Sequence, residues 1–399
     1  MKGHNVKTIL LRSGWQAVNI GDIGHTPGAL ELLRRHLPDA RVILWPNNLD
    51  LGAESMLRRE FPEVRVVWGR LDAQGRPSSQ EVLEAFEEAD FFLHGSAPSL
   101  VSQAHLQAWK DMTGKPYGIL GITIQEVDEA QRKLLSGSRF LFTRDTKSLA
   151  VLRNAGVSVP VLDFAPDATF AIALRDDPAA LRFLASTGLE TGRFACLVTR
   201  LRFTPYHRIH RDNGWSAEKI RSVEAVNELH READHAKLRQ VIVRWVRETG
   251  HKVLLCPEMT YQTEILRPML YDPLPADVKD RVALRETYWL PDEAGSVYQR
   301  ASAVVSAECH SPIIASAMGT PGMYVRQPQD TIKGQMWRDV GLGDWTFEIE
   351  EADGDAIADR LLTVRADRRA ALDRLGEAMT YVRGRFAFAM ETLRDALGS

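Results

Sequence analysis

The sequence has few cysteines, no surplus of positive charge and no long apolar run. Its 399 residues include three cysteines, Cys196, Cys256 and Cys309. They are far apart and form no CxxC pair, so neither a disulfide framework nor a cysteine-based zinc site is expected. Lysine and arginine together number 50 against 53 aspartates and glutamates, a net charge of −3. That balance excludes a nucleic-acid binder that works through bulk positive charge.

Membrane segments are also missing from the pattern. The first residues contain one short apolar run, at positions 9–11, which is too short for the apolar core of a signal peptide. The longest weakly polar stretch, residues 301–318, carries Glu308 and His310 in its middle, which argues against a membrane span. We therefore expect a cytoplasmic protein in a reducing compartment, with no membrane span and at most peripheral association with a membrane.

Short apolar runs alternate with segments of helical periodicity along the chain. The clearest strand-like runs are residues 8–11, 41–45, 91–94 and 117–122 in the first half, and 194–199, 252–256, 303–307 and 322–325 in the second. Such alternation predicts an α/β fold with mostly parallel sheets covered by helices on both faces.

The chain length, together with an interruption between the first and the second series of strands and helices, predicts two Rossmann-like lobes. Asp, Pro and Gly become frequent near residues 176–192, where the periodicity lapses. We predict an N-terminal α/β lobe at residues 1–180, a C-terminal α/β lobe at 190–365, and a helix at 366–399 that runs back to the first lobe. Ligands are then expected in a cleft between the lobes, at the carboxyl ends of the strands.

The sharpest local feature is the predicted strand 303–307 and the turn that follows it. Ser311 is a good helix N-cap and Pro312 a good first helical residue. A helix N-terminus offers free N–H groups and the positive end of a dipole, which attract anions. His310 lies beside that terminus, where a proton donor would meet a phosphate or carboxylate. The alternative is a histidine that only hydrogen-bonds within a turn.

A second candidate is the segment of residues 19–24 between the first strand and the first helix. Gly21 allows close approach of the backbone to a ligand, and Asn19 and Asp22 can hold a hydroxyl or cap the helix. The glycine spacing differs from the G-x-G-x-x-G fingerprint of dinucleotide sites. A capped turn without a ligand is the alternative.

Arginines follow two further predicted strands. Arg144 precedes Asp145, which suits a helix N-cap, while Arg200 and Arg202 emerge from the first strand of the second lobe. The planar guanidinium suits carboxylates and phosphates, so all three arginines are candidates for holding an anionic ligand. For Arg144 the alternative is a surface arginine beside a capped helix.

Metal binding and cysteine catalysis are not indicated. The histidines at positions 207, 210, 230 and 235 lie in arginine-rich surroundings, which disfavour a cation. Cys309 neighbours His310, but no oriented base for it is visible in the sequence. We expect neither a metal nor a cofactor.

Several of these motifs, taken in order, resemble the polysaccharide pyruvyltransferase family. The matching elements are Asn19-Ile20-Gly21-Asp22, Thr143-Arg144-Asp145, Pro166-Asp167, and His310-Ser311 with Gly319 and Pro321. The resemblance implies a two-lobed fold like that of GT-B glycosyltransferases. It also implies transfer of pyruvate from phosphoenolpyruvate onto two hydroxyls of a sugar as a ketal, in exopolysaccharide or cell-envelope biosynthesis.

The resemblance also implies roles for the candidate residues. The N-terminal lobe becomes the expected acceptor side and the C-terminal lobe the donor side. The acceptor is expected to be a sugar or glycan, free or lipid-linked, and no nucleic acid is expected as a partner. The catalytic candidates are His310 and Asp22, the donor-binding candidates are Arg200, Arg202, Arg144, Ser311 and Glu308, and the acceptor-binding candidates are Asn19 and Gly21.

One position departs from the family pattern. The family typically has Arg-x-His, with the arginine helping to hold the anionic donor, whereas this chain has Glu308 before His310. Two like charges ~4 Å apart cost about 4 kcal/mol at an effective dielectric constant near 20. Compensation by an arginine, protonation of Glu308 or a different donor would each remove this conflict. Two alternatives therefore stay open: a GT-B-like glycosyltransferase whose nucleotide-sugar donor is held through its ribose by Glu308, and a non-catalytic saccharide-binding relative.

Overall fold

Two parallel β-sheets organise the chain. A computed structural model describes residues 6–210 and 214–398. The first sheet has the strand order β3-β2-β1-β4-β5-β6-β7. Its strands are β1 (Thr8–Ser13), β2 (Arg41–Pro46), β3 (Arg65–Val66), β4 (Phe91–His94), β5 (Tyr117–Ile122), β6 (Leu141–Thr143) and β7 (Leu162–Phe164).

The second sheet repeats this plan with six strands in the order β10-β9-β8-β11-β12-β13. The strands are β8 (Phe194–Val198), β9 (Lys252–Leu255), β10 (Val282–Leu284), β11 (Ala303–Ser306), β12 (Gly322–Arg326) and β13 (Thr346–Glu348). In both sheets the strand order reverses beside the first strand, between β1 and β4 and between β8 and β11. Open parallel sheets bind ligands at such reversals.

Helices connect the strands, as parallel pairing requires. In the first half they are α1 (Ile20–His36), α2 (Ala53–Glu60), α3 (Gln80–Glu88), α4 (Gln103–Thr113), α5 (Glu129–Ser136), α6 (Thr146–Asn154) and α7 (Asp177–Thr187). In the second half they are α8 (Tyr206–Ile209), α9 (Ala217–Thr249), α10 (Gln262–Leu266), α11 (Ala276–Lys279), α12 (Pro291–Tyr298), α13 (His310–Ala317), α14 (Gln335–Asp339), α15 (Gly354–Ala366) and α16 (Arg368–Gly398).

Local sequence explains many of these boundaries. The Asp145 carboxylate accepts a hydrogen bond from the Ser148 N–H at 2.7 Å and caps α6, as its residue type predicts. Gly250 ends the long helix α9 in the left-handed conformation at φ 66°, which glycine adopts without steric cost. Among the described residues, none of the helices combines the length and apolar character needed to cross a lipid bilayer.

The chain divides into two compact units, which we call the N-terminal unit (residues 6–17, 22–173 and 380–398) and the C-terminal unit (residues 18–21 and 174–379). In the N-terminal unit, aromatic side chains such as Trp45, Phe86 and Trp109 pack edge to face over the sheet. The last part of α16 belongs to the same unit, where Phe388 lies edge-on against Phe142 at 5.9 Å between ring centroids.

The predicted fold class is confirmed, because both sheets are parallel and helices connect their strands. One detail differs at the predicted anion site. Helix α13 begins at His310, with Cys309 as the N-cap, so Ser311 lies inside the first turn. Its side chain therefore does not cap the helix, and it accepts a hydrogen bond from the Tyr298 hydroxyl at 3.1 Å.

Candidate functional site

The carboxyl ends of the central strands of the C-terminal sheet carry a group of ionisable side chains. Arg200 follows β8, Glu258 follows β9, and Glu308 and His310 follow β11. These strands are neighbours in the sheet, and the strand order reverses between β8 and β11. The topology therefore brings three predicted residues, Arg200, Glu308 and His310, to the edge where ligands of such sheets bind.

Arg200 is paired with two carboxylates. Its Nη1 lies 3.2 Å from Glu308 Oε2 and also contacts Asp330 Oδ1. The Tyr324 hydroxyl donates to Asp330 at 2.6 Å, and the Gln262 amide donates to Glu308 at 2.9 Å. If Arg200 binds an anionic ligand, it therefore does so while two acidic side chains of the protein already contact it.

Glu308 is the acid of this cluster that holds a proton. Burial raises the pKa of Glu308 to about 8; Arg200 opposes this, while Glu258 and Asp330 add to it. For Asp330 burial also favours the neutral form, but Arg200 outweighs it and holds the Asp330 pKa below its usual range. At neutral pH the cluster consists of a cationic Arg200, an anionic Asp330 and a mostly neutral Glu308.

The N-terminus of α13 is occupied by a carboxylate of the protein itself. Glu258 is fully buried, and its Oε2 accepts a hydrogen bond from the Ser311 N–H at 2.6 Å. Its Oε1 lies 3.6 Å from His310 Nδ1. An internal anion therefore already uses one of the helix-terminal donors that the sequence assigns to a ligand.

Asn19 and Gly21 lie in the C-terminal unit, against this cluster. The Asn19 backbone bridges to Met259, and its side-chain oxygen accepts from the Gly21 N–H at 2.6 Å. The Ile20 N–H donates to the Glu258 carbonyl at 3.0 Å. A methyl group added at Gly21 would stand 2.2 Å from His310 Cγ. Gly21 thus leaves room for the imidazole.

We expect Gly21→Ala to displace the His310 ring, because no real Cβ contact is that short. Overpacking of this kind costs about 1–3 kcal/mol, so the melting temperature should fall and the NMR signals of the His310 imidazole should shift. Gly384→Ala, whose Cβ would meet nothing within 4 Å, is the matched control. Unchanged His310 signals in Gly21→Ala would contradict the contact.

A separate charge network lies in the N-terminal unit. Arg144, fully buried, donates from Nη1 to Asp167 Oδ2 at 2.7 Å. His25 Nδ1 lies 3.0 Å from the other Asp167 oxygen, and its Nε2 lies 3.8 Å from Asp22. Gln16 donates to the second Asp22 oxygen. Two predicted residues, Arg144 and Asp22, thus belong to one buried chain of charges centred on Asp167.

Arg202 is engaged elsewhere in the C-terminal unit. It forms a two-point pair with Asp234, at 2.5 and 2.8 Å, and a third contact with Glu350 at 2.8 Å. Asp234 and Glu350 together raise the Arg202 pKa, although burial opposes the rise. Each of the three arginines predicted to hold a donor is therefore ion-paired within its own unit.

The sequence analysis missed Glu258, Gln262, Asp330 and His25. A signal for Glu258 exists, because a Pro-Glu pair directly follows the apolar run of β9, and carboxylates at strand ends are frequent site residues. His25 lies one turn after Asp22 on α1, a spacing that places both side chains on the same helix face. For Gln262 and Asp330 the local sequence offers no comparable sign.

Known structures share the fold of this chain. S. aureus MnaA, solved with UDP, matches with a TM-score of 0.59 at 11% identity over 94% of this chain and 91% of that one. Anabaena HepE, solved with UDP and glucose, matches with 0.57 at 11% identity over 98% and 99%. E. coli ADP-heptose LPS heptosyltransferase II matches with 0.55 at 11% identity over 91% and 100%. The structural neighbours are GT-B glycosyltransferases and epimerases.

No curated protein matches the chain. The model of a sequence family does match, and it is described as polysaccharide pyruvyl transferase. The match extends over residues 19–327, from the Asn19 motif to just past the end of β12. It includes Asp22, Arg144 and Asp167 of the N-terminal unit and Arg200, Glu258, Glu308 and His310 of the C-terminal unit. The chain therefore belongs to the polysaccharide pyruvyl transferase family.

Proposed function

We propose that this chain transfers pyruvate from phosphoenolpyruvate to two hydroxyls of a saccharide, with His310 as the group that moves the proton. The observation that carries the proposal is the placement of His310 at the reversal between β8 and β11, with the buried Glu258 carboxylate 3.6 Å from its Nδ1. His310 Nδ1 contacts Cys309 Sγ at 3.4 Å, and the Glu258 carboxyl group lies just beyond hydrogen-bond distance. A carboxylate near a histidine favours the protonated imidazole, which suits general acid–base catalysis. Family membership supports the reaction class.

The chemistry needs one proton delivered and two removed. His310 protonates the methylene carbon of phosphoenolpyruvate, and a saccharide hydroxyl attacks the adjacent carbon and loses its proton. The C–O bond to phosphate then breaks, and inorganic phosphate leaves. A second hydroxyl adds to the same carbon and closes the ketal. Of the two hydroxyl protons, one replaces the proton that His310 delivered to the methylene carbon, and the other leaves with the phosphate. Glu258 stabilises the cationic state of His310 before the first step.

Glu308 takes part in this proposal as a neutral acid. With a pKa raised to about 8 by burial, it can donate a hydrogen bond to a donor carboxylate or phosphate oxygen at neutral pH. The arginine typical of the family would supply a full charge at this place. A neutral carboxyl supplies hydrogen-bond direction without repulsion, a use of a raised pKa that is established in other enzyme sites.

The proposal predicts a pH-dependent affinity for phosphoenolpyruvate. Below about pH 8 Glu308 is neutral and the donor binds; above it Glu308 ionises and repels the donor. One pH unit above the pKa about a tenth of the protein keeps the proton. We expect KM for phosphoenolpyruvate to rise roughly tenfold between pH 7 and pH 9 in steady-state assays of phosphate release.

Glu308→Gln is the control for this profile. It keeps a neutral hydrogen-bond donor at the same place and cannot ionise, so its KM should stay flat between pH 7 and pH 9. A wild-type KM that stays flat, or a glutamine variant that follows the wild-type curve, would contradict the assignment of the proton to Glu308.

A nucleotide-sugar transferase is the second candidate, favoured by one observation. Glu258 already fills the α13 N-terminus, and Glu308 lies at a strand end where a carboxylate can accept hydrogen bonds from ribose hydroxyls. Thermal-shift screening separates the candidates, because only ligands that bind the folded state raise the melting temperature. Stabilisation by nucleotide sugars and not by phosphoenolpyruvate would favour this second reaction and overturn the first.

A further inference from the structure

The N-terminal sheet has a strand-order reversal of its own, and a buried arginine lies at it. The order reverses between β1 and β4. Arg12 on β1 is in register with Trp45 on β2 and with His94 on β4. Side chains in register on neighbouring strands share one face of a sheet. Arg12 and His94 are thus neighbours at the place where open parallel sheets bind ligands.

The charge of Arg12 has no acidic partner among residues 6–210 and 214–398. Arg12 is 2% exposed, and the described side chains and carbonyls that its guanidinium contacts are neutral. The contacts are Ser102 Oγ at 3.1 Å, the Trp45 carbonyl at 2.8 Å, Asn47 Oδ1 at 3.5 Å and His105 Nε2 at 3.3 Å. This differs from Arg144, Arg200 and Arg202, each of which contacts at least one carboxylate.

A buried cation without a counter-charge destabilises the fold. Burial lowers the pKa of Arg12 to about 9, so it is still charged at neutral pH. The Trp45 ring, with its centroid 5.0 Å from the guanidinium carbon, offsets part of the cost. The part of the burial cost that Trp45 does not offset is the free energy that an anionic ligand would recover on binding. The longest hydrogen-bond contacts of Arg12 are those of Nη2, and a ligand oxygen would replace them.

Two neutral histidines beside Arg12 have unused hydrogen-bonding atoms. Burial, together with Arg12, lowers the pKa of His94 to about 4 and of His105 to about 3. His94 Nδ1 lies 2.8 Å from the Gly95 carbonyl, so Nδ1 carries the hydrogen and Nε2 is an acceptor. His105 Nε2 accepts from Arg12, which makes its Nδ1 a donor. Both His94 Nε2 and His105 Nδ1 are buried without a partner in the described part of the chain.

An inorganic anion would satisfy the cation and the free donor but leave the acceptor unused. A ligand with both an anionic group and hydroxyl groups would satisfy all three, because a hydroxyl can donate to His94 Nε2. Asn47 is exposed and His105 is half-buried, so the surface closest to the Arg12 guanidinium lies on the side of these two residues. An acidic sugar combines these groups, since its carboxylate or phosphate matches the cation and its hydroxyls can both donate and accept hydrogen bonds.

We propose that Arg12, His94 and His105 form a binding site for a sugar that carries a carboxylate or phosphate group. Arg12 binds the anionic group through its planar pair of N–H donors, and the histidines bind hydroxyl oxygens. The identification of this sugar as part of the saccharide acceptor rests on the proposed function; the binding itself does not.

The test compares methyl glucuronide with methyl glucoside, which differ in the carboxylate, by isothermal titration and thermal shift. Glucose 6-phosphate distinguishes phosphate from carboxylate, and inorganic sulfate reports binding of any anion. We expect the wild type to bind methyl glucuronide or glucose 6-phosphate at least tenfold more tightly than methyl glucoside or sulfate. Arg12→Gln should lose this preference, whereas Arg41→Gln, an exposed arginine at the amino end of β2, should keep it.

Asn47→Asp keeps the test valid if Arg12→Gln folds poorly. It places a carboxylate 3.5 Å from Arg12 Nη2 in nearly the same shape, so it should raise the melting temperature and weaken binding of the acidic sugar at least tenfold. Equal binding of acidic and neutral sugars by the wild type, sulfate as strong as the sugars, or unchanged binding in Asn47→Asp would each overturn the proposal. Failure of pyruvyl transfer leaves these binding results untouched, so the two proposals fail separately.

Discussion

Replacement of His310 by alanine is expected to lower the rate of pyruvyl transfer by about 10²–10⁴-fold, the usual contribution of a positioned acid–base group. Protonation of the methylene carbon needs a donor at a fixed place, and water cannot replace it in a buried position. Release of phosphate from phosphoenolpyruvate in the presence of saccharide acceptors measures the rate. Because the acid–base group acts in the transition state, kcat should fall with little change in KM for the donor.

Two further variants test whether the loss of rate is specific to His310. His207→Ala removes a histidine of the same unit that pairs with Glu224, away from the cluster, and should leave the rate unchanged. Glu258→Gln keeps the oxygen that accepts from Ser311 and removes the charge beside His310. It should lower kcat roughly tenfold or more and shift the pH profile, since the imidazolium loses its stabilising anion. If the His310→Ala protein turns over at the wild-type rate, His310 is not the acid–base group.

The sequence was sufficient to predict the fold class and the edge of the C-terminal sheet at which Arg200, Glu308 and His310 lie. Apolar runs such as residues 303–307 have a length and flanking turns typical of buried strands, and the parallel topology brings their carboxyl ends together. The position of His310 at that edge was predictable because the strand–turn–helix pattern around it is local in the chain. The capping role of Asp145 was predictable for the same reason.

The partners of the arginines were not predictable. Arg200 meets Asp330, which is 130 residues further along the chain, and Arg202 meets Glu350 at a separation of 148 residues. Such pairs depend on how loops at strand ends converge, and no periodicity in the sequence encodes that. Glu258 illustrates the consequence: a residue absent from the sequence-based candidates occupies the helix terminus at which an anionic donor was expected.

Arg12 was overlooked for a related reason. In the strand of residues 8–13 it follows the apolar run 9–11 and precedes Ser13, and polar residues at such a place commonly mark the strand end. Its significance depends on the lack of a neighbouring carboxylate in the part of the chain that the structure describes, and only the folded arrangement of β1, β2 and β4 reveals that. Buried charges are informative mainly through their neighbours.

The contrast between Arg12 and Arg144 leads to the second large effect, on stability. Asp167 is fully buried and contacts Arg144 at 2.7 Å and His25 at 3.0 Å, so Asp167→Ala leaves a buried guanidinium without its counter-charge. Removal of one partner of a buried pair costs about 3–5 kcal/mol, because the other charge stays desolvated. We expect the midpoint of urea unfolding to fall accordingly.

The double variant Arg144→Met/Asp167→Ala distinguishes a charge effect from a packing effect. It removes both charges, so it should recover much of the stability lost in Asp167→Ala, as replacement of buried ion pairs by apolar groups often does. Glu129→Ala, which removes an exposed pair with Arg132, should leave the midpoint unchanged, since exposed pairs contribute little. If Asp167→Ala is as stable as Glu129→Ala, the buried network does not hold the N-terminal unit together. If the double variant is no better than Asp167→Ala, the loss lies in the contacts of Asp167 with His25 and the Thr169 N–H, and not in the unpaired charge of Arg144.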